Sequence, residues 1–173
     1  MNPTLQVDGM HRYACRSATI AGILLATFAI PLASFQQSGP GSQALRKLAR
    51  LRSDIRWEIR SVLRGDFDGD GRVDQAVLGR GPKRVFVGVV YSSGGEPDIL
   101  EFAVSSGQQA AICNEPAKLG VESLDYDPSD AVGKLEGFER SRTAQGLRLS
   151  GGECDDVHLF WNHITKHLGW WRL

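Results

Sequence analysis

The chain has 173 residues, 42% hydrophobic and 23% charged, with 20 Lys plus Arg against 20 Asp plus Glu. This balance excludes a disordered or fibrous chain, and a formal charge of zero removes bulk electrostatic attraction as a basis for nucleic-acid binding. The length suits one domain.

The zero is an average over unlike segments. No charge falls between Ser17 and Ala44, and Ala18 to Ala33 is almost wholly apolar. Arg12 and Arg16 precede that run, and the small residues Ala33 and Ser34 follow Pro31. This three-part pattern reads as a secretory signal peptide over residues 1–34, cleaved near Ala33 or Ser34. It places the mature chain in the periplasm or outside the cell, with no transmembrane segment. A membrane anchor is the competing reading, but the apolar run is 16 residues long, against roughly 20 needed to span a bilayer. Asp8 is unusual in a signal n-region, so Met10 is an alternative start. Cys15 lies before the apolar run and is not a lipoprotein cysteine. Loss of Arg12, Arg16 and Asp8 leaves a net charge of −1 and two cysteines, Cys113 and Cys154. In an oxidising compartment that pair reads as a disulfide, with two buried free thiols as the alternative.

Residues 35–43, rich in Gly, Pro, Ser and Gln, read as a flexible linker, and residues 44–173 as the working domain. Leu45, Leu48 and Leu51 fall at helical spacing and predict a short amphipathic helix over Ala44–Ser53. The period then changes. Ile55, Trp57 and Ile59 alternate with Arg56, Glu58 and Arg60, which predicts a half-buried strand, against one long helix to Leu63. Arg46, Lys47, Arg50, Arg52, Arg56, Arg60 and Arg64 form a basic stretch, read either as a solvated face or as a surface for an anionic partner.

Farther along, the chain reads as mainly β. Strands are expected at Gln75–Leu78, Arg84–Tyr91, Asp98–Val104, Gly120–Tyr126, Gly146–Leu149, Val157–Asn162 and Leu168–Leu173, separated by Gly- and Pro-rich breaks. The expected architecture is antiparallel sheets, as a sandwich or a propeller fragment. The last two strands form a hairpin whose Trp161, Trp170 and Trp171 supply core surface.

Chemistry concentrates between Asp66 and Asp74, which reads D-F-D-G-D-G-R-V-D. Carboxylates stand at positions 1, 3, 5 and 9, with Gly71 at position 6. Calcium takes 6–8 oxygen ligands, and a curled loop aims alternate side chains at one centre. Asp66, Asp68, Asp70 and Asp74 are therefore candidate ligands, with the Arg72 carbonyl between them and Val73 left to anchor the loop in the core. Position 12, which an EF-hand fills with Glu, is Val77, and a strand follows instead of a helix. The segment GDFDGDGRVDQAVLG resembles the calcium loop of FG-GAP repeats of the integrin-α type (VCBS-like), in which the loop joins two strands. That resemblance implies the same ligand set and a β-propeller context, although this chain holds one such loop where those propellers hold several. The rest of the chain resembles uncharacterised exported proteins of proteobacteria.

Other signals are weaker. Arg64-Gly65-Asp66 spells an adhesion tripeptide by chance, His163 and His167 read as surface histidines, and Asp125, Asp127 and Asp130 as a solvated turn. Elbow, zinc and phosphate-loop motifs are absent, so the expectation is a non-enzymatic protein. The functional expectation is an exported calcium-binding module with a protein partner in the cell envelope. The alternatives are a periplasmic inhibitor or immunity protein acting on a cell-wall hydrolase, and a calcium-dependent hydrolase. Some inhibitors of lysozyme-like toxins are similar in size, export and calcium loops, but Ser93-Gly94-Gly95-Glu96 lacks the Tyr of their Ser-Gly-x-x-Tyr loop.

Overall fold

A computed structural model describes residues 40–173, so the expected signal peptide and most of the expected linker lie outside the described residues. The first element is helix α1, Pro40–Leu51, which begins inside the stretch expected to be a linker. Ala44 and Leu48 are fully buried one turn apart, and the half-buried Leu45 packs beside them. Arg46 and Arg50 occupy the exposed side.

Among the described residues, ten strands form two sheets. The first sheet contains β1 (Arg56–Trp57), β2 (Leu63–Gly65), β3 (Asp74–Gly81), β4 (Arg84–Val90), β5 (Asp98–Val104) and β6 (Ala111–Ile112). Its order is β1-β3-β4-β5-β6, with β2 also on β3. All of its pairings are antiparallel except β5 with β6, which is parallel, so this sheet is mixed. The second sheet is antiparallel, in the order β10-β9-β8-β7, from β7 (Lys118–Ser123), β8 (Gln145–Ser150), β9 (Val157–Asn162) and β10 (His167–Trp171). A short helix α2, Ser129–Val132, lies in the long β7–β8 connection. No helix among the described residues is long and apolar enough to cross a membrane.

The expected strand through Ile59 breaks after two residues. Ser61 Oγ accepts the amide of Leu78 at 2.9 Å and donates to the Glu58 carbonyl at 2.7 Å. That side chain replaces a backbone partner, and residues Ile59–Ser61 coil into a 3₁₀ turn. Ile59 is consequently 65% exposed, against the half-buried position that alternation predicted. The strand expected over Gly120–Tyr126 ends at Ser123, and Tyr126 leaves the sheet to pack against Phe138 and Trp171.

The main core lies between the sheets. Phe67, Leu78, Val85, Val87, Val89 and Phe102 of one side meet Leu147, Leu149, Val157 and Leu159 of the other. The opposite face of the first sheet is covered by α1, where Leu48, Val77 and the partly buried Trp57 meet. This approach is close because β4 carries Gly88: a Cβ there would stand 2.8 Å from Leu48 Cδ2 and 2.9 Å from Trp57 Cη2. The three terminal tryptophans divide between faces. Trp161 packs edge-on to Tyr91 and Trp170 edge-on to Phe102, while Trp171 stacks on His158 at 4.2 Å. Cys113 and Cys154 are brought to disulfide distance, with Cα atoms 5.7 Å apart, inside the range that a disulfide spans.

Candidate metal centre

The loop begins where β2 ends and closes where β3 begins, because Gly65 pairs with Asp74 across the two strands. Its backbone is folded by its own carboxylates. Asp66 Oδ1 accepts the amide of Gly69 at 2.8 Å, and Asp66 Oδ2 accepts that of Gly71 at 3.0 Å. Asp68 Oδ1 accepts the amide of Asp70 at 3.1 Å, and Asp70 Oδ1 that of Arg72 at 2.8 Å. The turn needs φ near +82° at position 71, a region that glycine enters without steric cost.

Asp74 sits beneath the loop and is 1% exposed. Its Oδ2 accepts the amide of Phe67 at 2.9 Å, and its Oδ1 that of Ser92 at 2.8 Å. A buried carboxylate is sustained only by such donors or by cations. Phe67, 1% exposed, roots the loop in the core between the sheets. The sequence expected that anchor to be Val73, but Val73 faces solvent at 51% exposure. The inward register falls on Phe67 because its amide is drawn to the buried Asp74, and the preceding Asp66 carbonyl accepts the Gln145 amide at 2.8 Å.

Of the four carboxylates proposed as ligands, the fold brings three together. One oxygen from each of Asp66, Asp68 and Asp74 lies within 4.8 Å of the others. Asp70 stands outside this group and turns toward Arg72, whose Nε is 3.8 Å from Asp70 Oδ2. Oxygens in one calcium shell sit 2.3–2.6 Å from the ion, so two of them lie at most about 5.2 Å apart. The donor set and its spacing therefore fit a hard divalent cation. The electrostatics agree. Asp68 is raised above the ordinary carboxylate value, first by burial and further by Asp74, Asp70 and Asp66. Asp74 is also raised, first by burial, against the opposing amides of Ser92 and Phe67. A bound cation would relieve both.

Sequence reading missed the second wall of the site. Ser92 and Ser93, in the turn between β4 and β5, reach the loop: besides the Ser92 amide, Ser93 Oγ donates to Asp68 Oδ2 at 3.4 Å. Nothing in a Ser-Ser-Gly-Gly turn signals a partner 18 or 25 residues earlier. The weaker candidates resolve into separate contacts. His163 lies 3.8 Å from Glu139, whereas His167 pairs with Asp98 at 2.7 Å. Asp125 pairs with Arg140 at 2.6 Å, and Asp127 accepts the amide of Ser129 at 2.9 Å. Arg64 and Gly65 belong to β2, so the adhesion tripeptide is not displayed on a loop tip.

Comparison with known protein families, curated proteins and solved structures returns no match.

Proposed function

We propose that the chain is an exported calcium-binding domain without catalytic activity, acting as a binding or interaction module of the cell envelope. Calcium sits on Asp66, Asp68 and Asp74, and Asp70, which must turn away from Arg72 to reach the ion, completes the loop's contribution with the Arg72 carbonyl. The supporting observation is the convergence of three carboxylates within 4.8 Å on a backbone that the same carboxylates fold. A non-catalytic role follows from the chemistry of the ion. Calcium held by several carboxylates is a weak Lewis acid compared with zinc, which lowers the pKa of bound water to about 7. Its role here is to neutralise charge and fix the loop against the Ser92–Ser93 turn.

Isothermal titration calorimetry of the chain expressed from residue 35, with calcium and then magnesium, tests the reading. One calcium per chain, with a dissociation constant of roughly 10⁻⁴ to 10⁻³ M or tighter, is expected. No calcium heat at millimolar concentration in the wild-type chain would overturn it.

A further inference from the structure

Beside the metal loop, the second half of α1 and the turn after β4 enclose a groove. One part, about 460 Å³, is lined by Lys47, Arg50, Leu51, Glu96 and Pro97 together with glycines of the turn. A second, about 350 Å³, shares Lys47 and Gly94 and continues past Val73, Gln75 and Tyr91. The Lys47 ammonium crosses between them and donates to the Gly95 carbonyl at 2.9 Å.

Three properties set this groove apart. First, it gathers two of the large apolar side chains that the fold leaves exposed, Leu51 at 55% and Val73 at 51%. Second, its cations are not neutralised by ion pairs among the described residues: neither Lys47 nor Arg50 forms one, whereas Arg52, Arg80, Arg84, Arg140 and Arg148 all do. Among the described residues Lys47 donates to a neutral carbonyl, which a stronger acceptor can displace. Glu96 is the one acid among the described residues that line this part of the groove, against Lys47 and Arg50, so the lining keeps net positive charge. Third, the groove is concave. A bilayer surface is flat and reaches convex features, whereas an extended chain fits a slot between a helix and a turn.

We infer that the groove between α1 and the Gly94–Pro97 turn docks an acidic, extended segment of a partner protein. An apolar side chain of that segment rests against Leu51 and Pro97, and its carboxylates meet Arg50 and Lys47. The inference deepens the interaction-module reading and rests on it; its named contacts are to Lys47, Arg50, Leu51 and Pro97, none of them a carboxylate of the metal loop.

The test uses fluorescein-labelled peptides and the chain from residue 35. One peptide alternates Asp or Glu with Leu, a second replaces Leu by Ser, and a third replaces the acids by Lys. Fluorescence anisotropy is expected to show saturable binding of the first peptide alone, weakened at least tenfold by Lys47→Glu with Arg50→Glu and separately by Leu51→Ser. All three positions lie on the outer half of α1, so circular dichroism of the variants checks that the fold persists. Amide shifts on titration are expected at residues 47, 50, 51 and 94–97. Absence of saturable binding up to roughly 1 mM, a dissociation constant worth only about 4 kcal/mol, overturns the proposal. So does equal binding by the variants, or co-sedimentation with phosphatidylglycerol vesicles in place of peptide binding. Calcium calorimetry on the same sample separates the two ideas: peptide binding without calcium heat sinks the metal reading alone, and calcium heat without peptide binding sinks the groove alone.

Discussion

The amide of Ser92 donates to Asp74 Oδ1 at 2.8 Å, which fastens the turn after β4 to the floor of the acidic loop. The other oxygen of that carboxylate holds the amide of Phe67 at 2.9 Å. Asp74 thus serves the fold whether or not an ion is bound, whereas the role proposed for Asp68 is chiefly that of a ligand. Asp74→Ala leaves the buried amide of Phe67 and the part-buried amide of Ser92 without their acceptor and is expected to cost about 2–4 kcal/mol in urea unfolding even under EDTA. Asp68→Asn under EDTA is expected to be neutral or slightly stabilising, because it removes a carboxylate that burial and its neighbours disfavour. Equal losses for both variants would contradict this division.

Acidity offers an independent reading of the same strain. Asp68 and Asp74 hold their protons more tightly in the fold than at the ordinary carboxylate value of 3.8. A group raised in the native state contributes stability that is present below 3.8 and lost as pH climbs through its raised value. For these two groups, metal-free protein should therefore gain stability on acidification toward pH 4. Saturating calcium should remove that gain, since protons and the ion compete for the same oxygens. Comparing Asp68→Asn with wild type in unfolding titrations at several pH values isolates the contribution. A wild-type-minus-variant difference that grows in favour of wild type as pH rises, without calcium, would contradict it.

Much of this was legible in the residues. Apolar and β-branched density located β4, β5 and β9, because those strands lie in continuous ladders and carry much of the buried surface. The carboxylate spacing located the loop. What stayed hidden were non-local substitutions of one partner for another. Ser61 takes a ladder position from the backbone and breaks the strand at Ile59. The helix start at Pro40 was masked by a linker-like composition, since Gly and Pro at a first turn are compatible with a helix whose later residues are held by packing. Val73 and Phe67 are both apolar, and the hydrogen bonds from the Phe67 amide to Asp74 and from the Gln145 amide to the Asp66 carbonyl, neither of them local in sequence, turn Phe67 inward.

Gly88 permits α1 to lie against β4. A Cβ there would meet Leu48 and Trp57 side-chain atoms at 2.8–2.9 Å, so Gly88→Ala must displace the helix or the indole. The expected cost is about 1–3 kcal/mol by denaturant titration. A neutral Gly88→Ala would mean that α1 is not held in this position.

A bond between Cys113 and Cys154 closes a sequence separation of 41 residues and ties the β6–β7 connection, next to the edge of the first sheet, to the β8–β9 connection of the second. The chain-entropy model assigns about 4 kcal/mol to a loop of that length. Cys113→Ser with Cys154→Ser is expected to lose a similar amount in unfolding experiments, and reductant should bring wild type to the same level. Insensitivity of the wild-type midpoint to reductant would contradict a structural role for the bond.

The most direct test of the central claim is the thermal midpoint of the chain from residue 35, measured with EDTA and with calcium in excess. At about one hundred times its dissociation constant a bound ion adds about 2.7 kcal/mol, or roughly 10 °C for a domain of this size. That rise is expected in wild type and should vanish in Asp66→Asn with Asp68→Asn. A wild-type midpoint that does not move between EDTA and calcium would contradict a cation held by Asp66, Asp68 and Asp74.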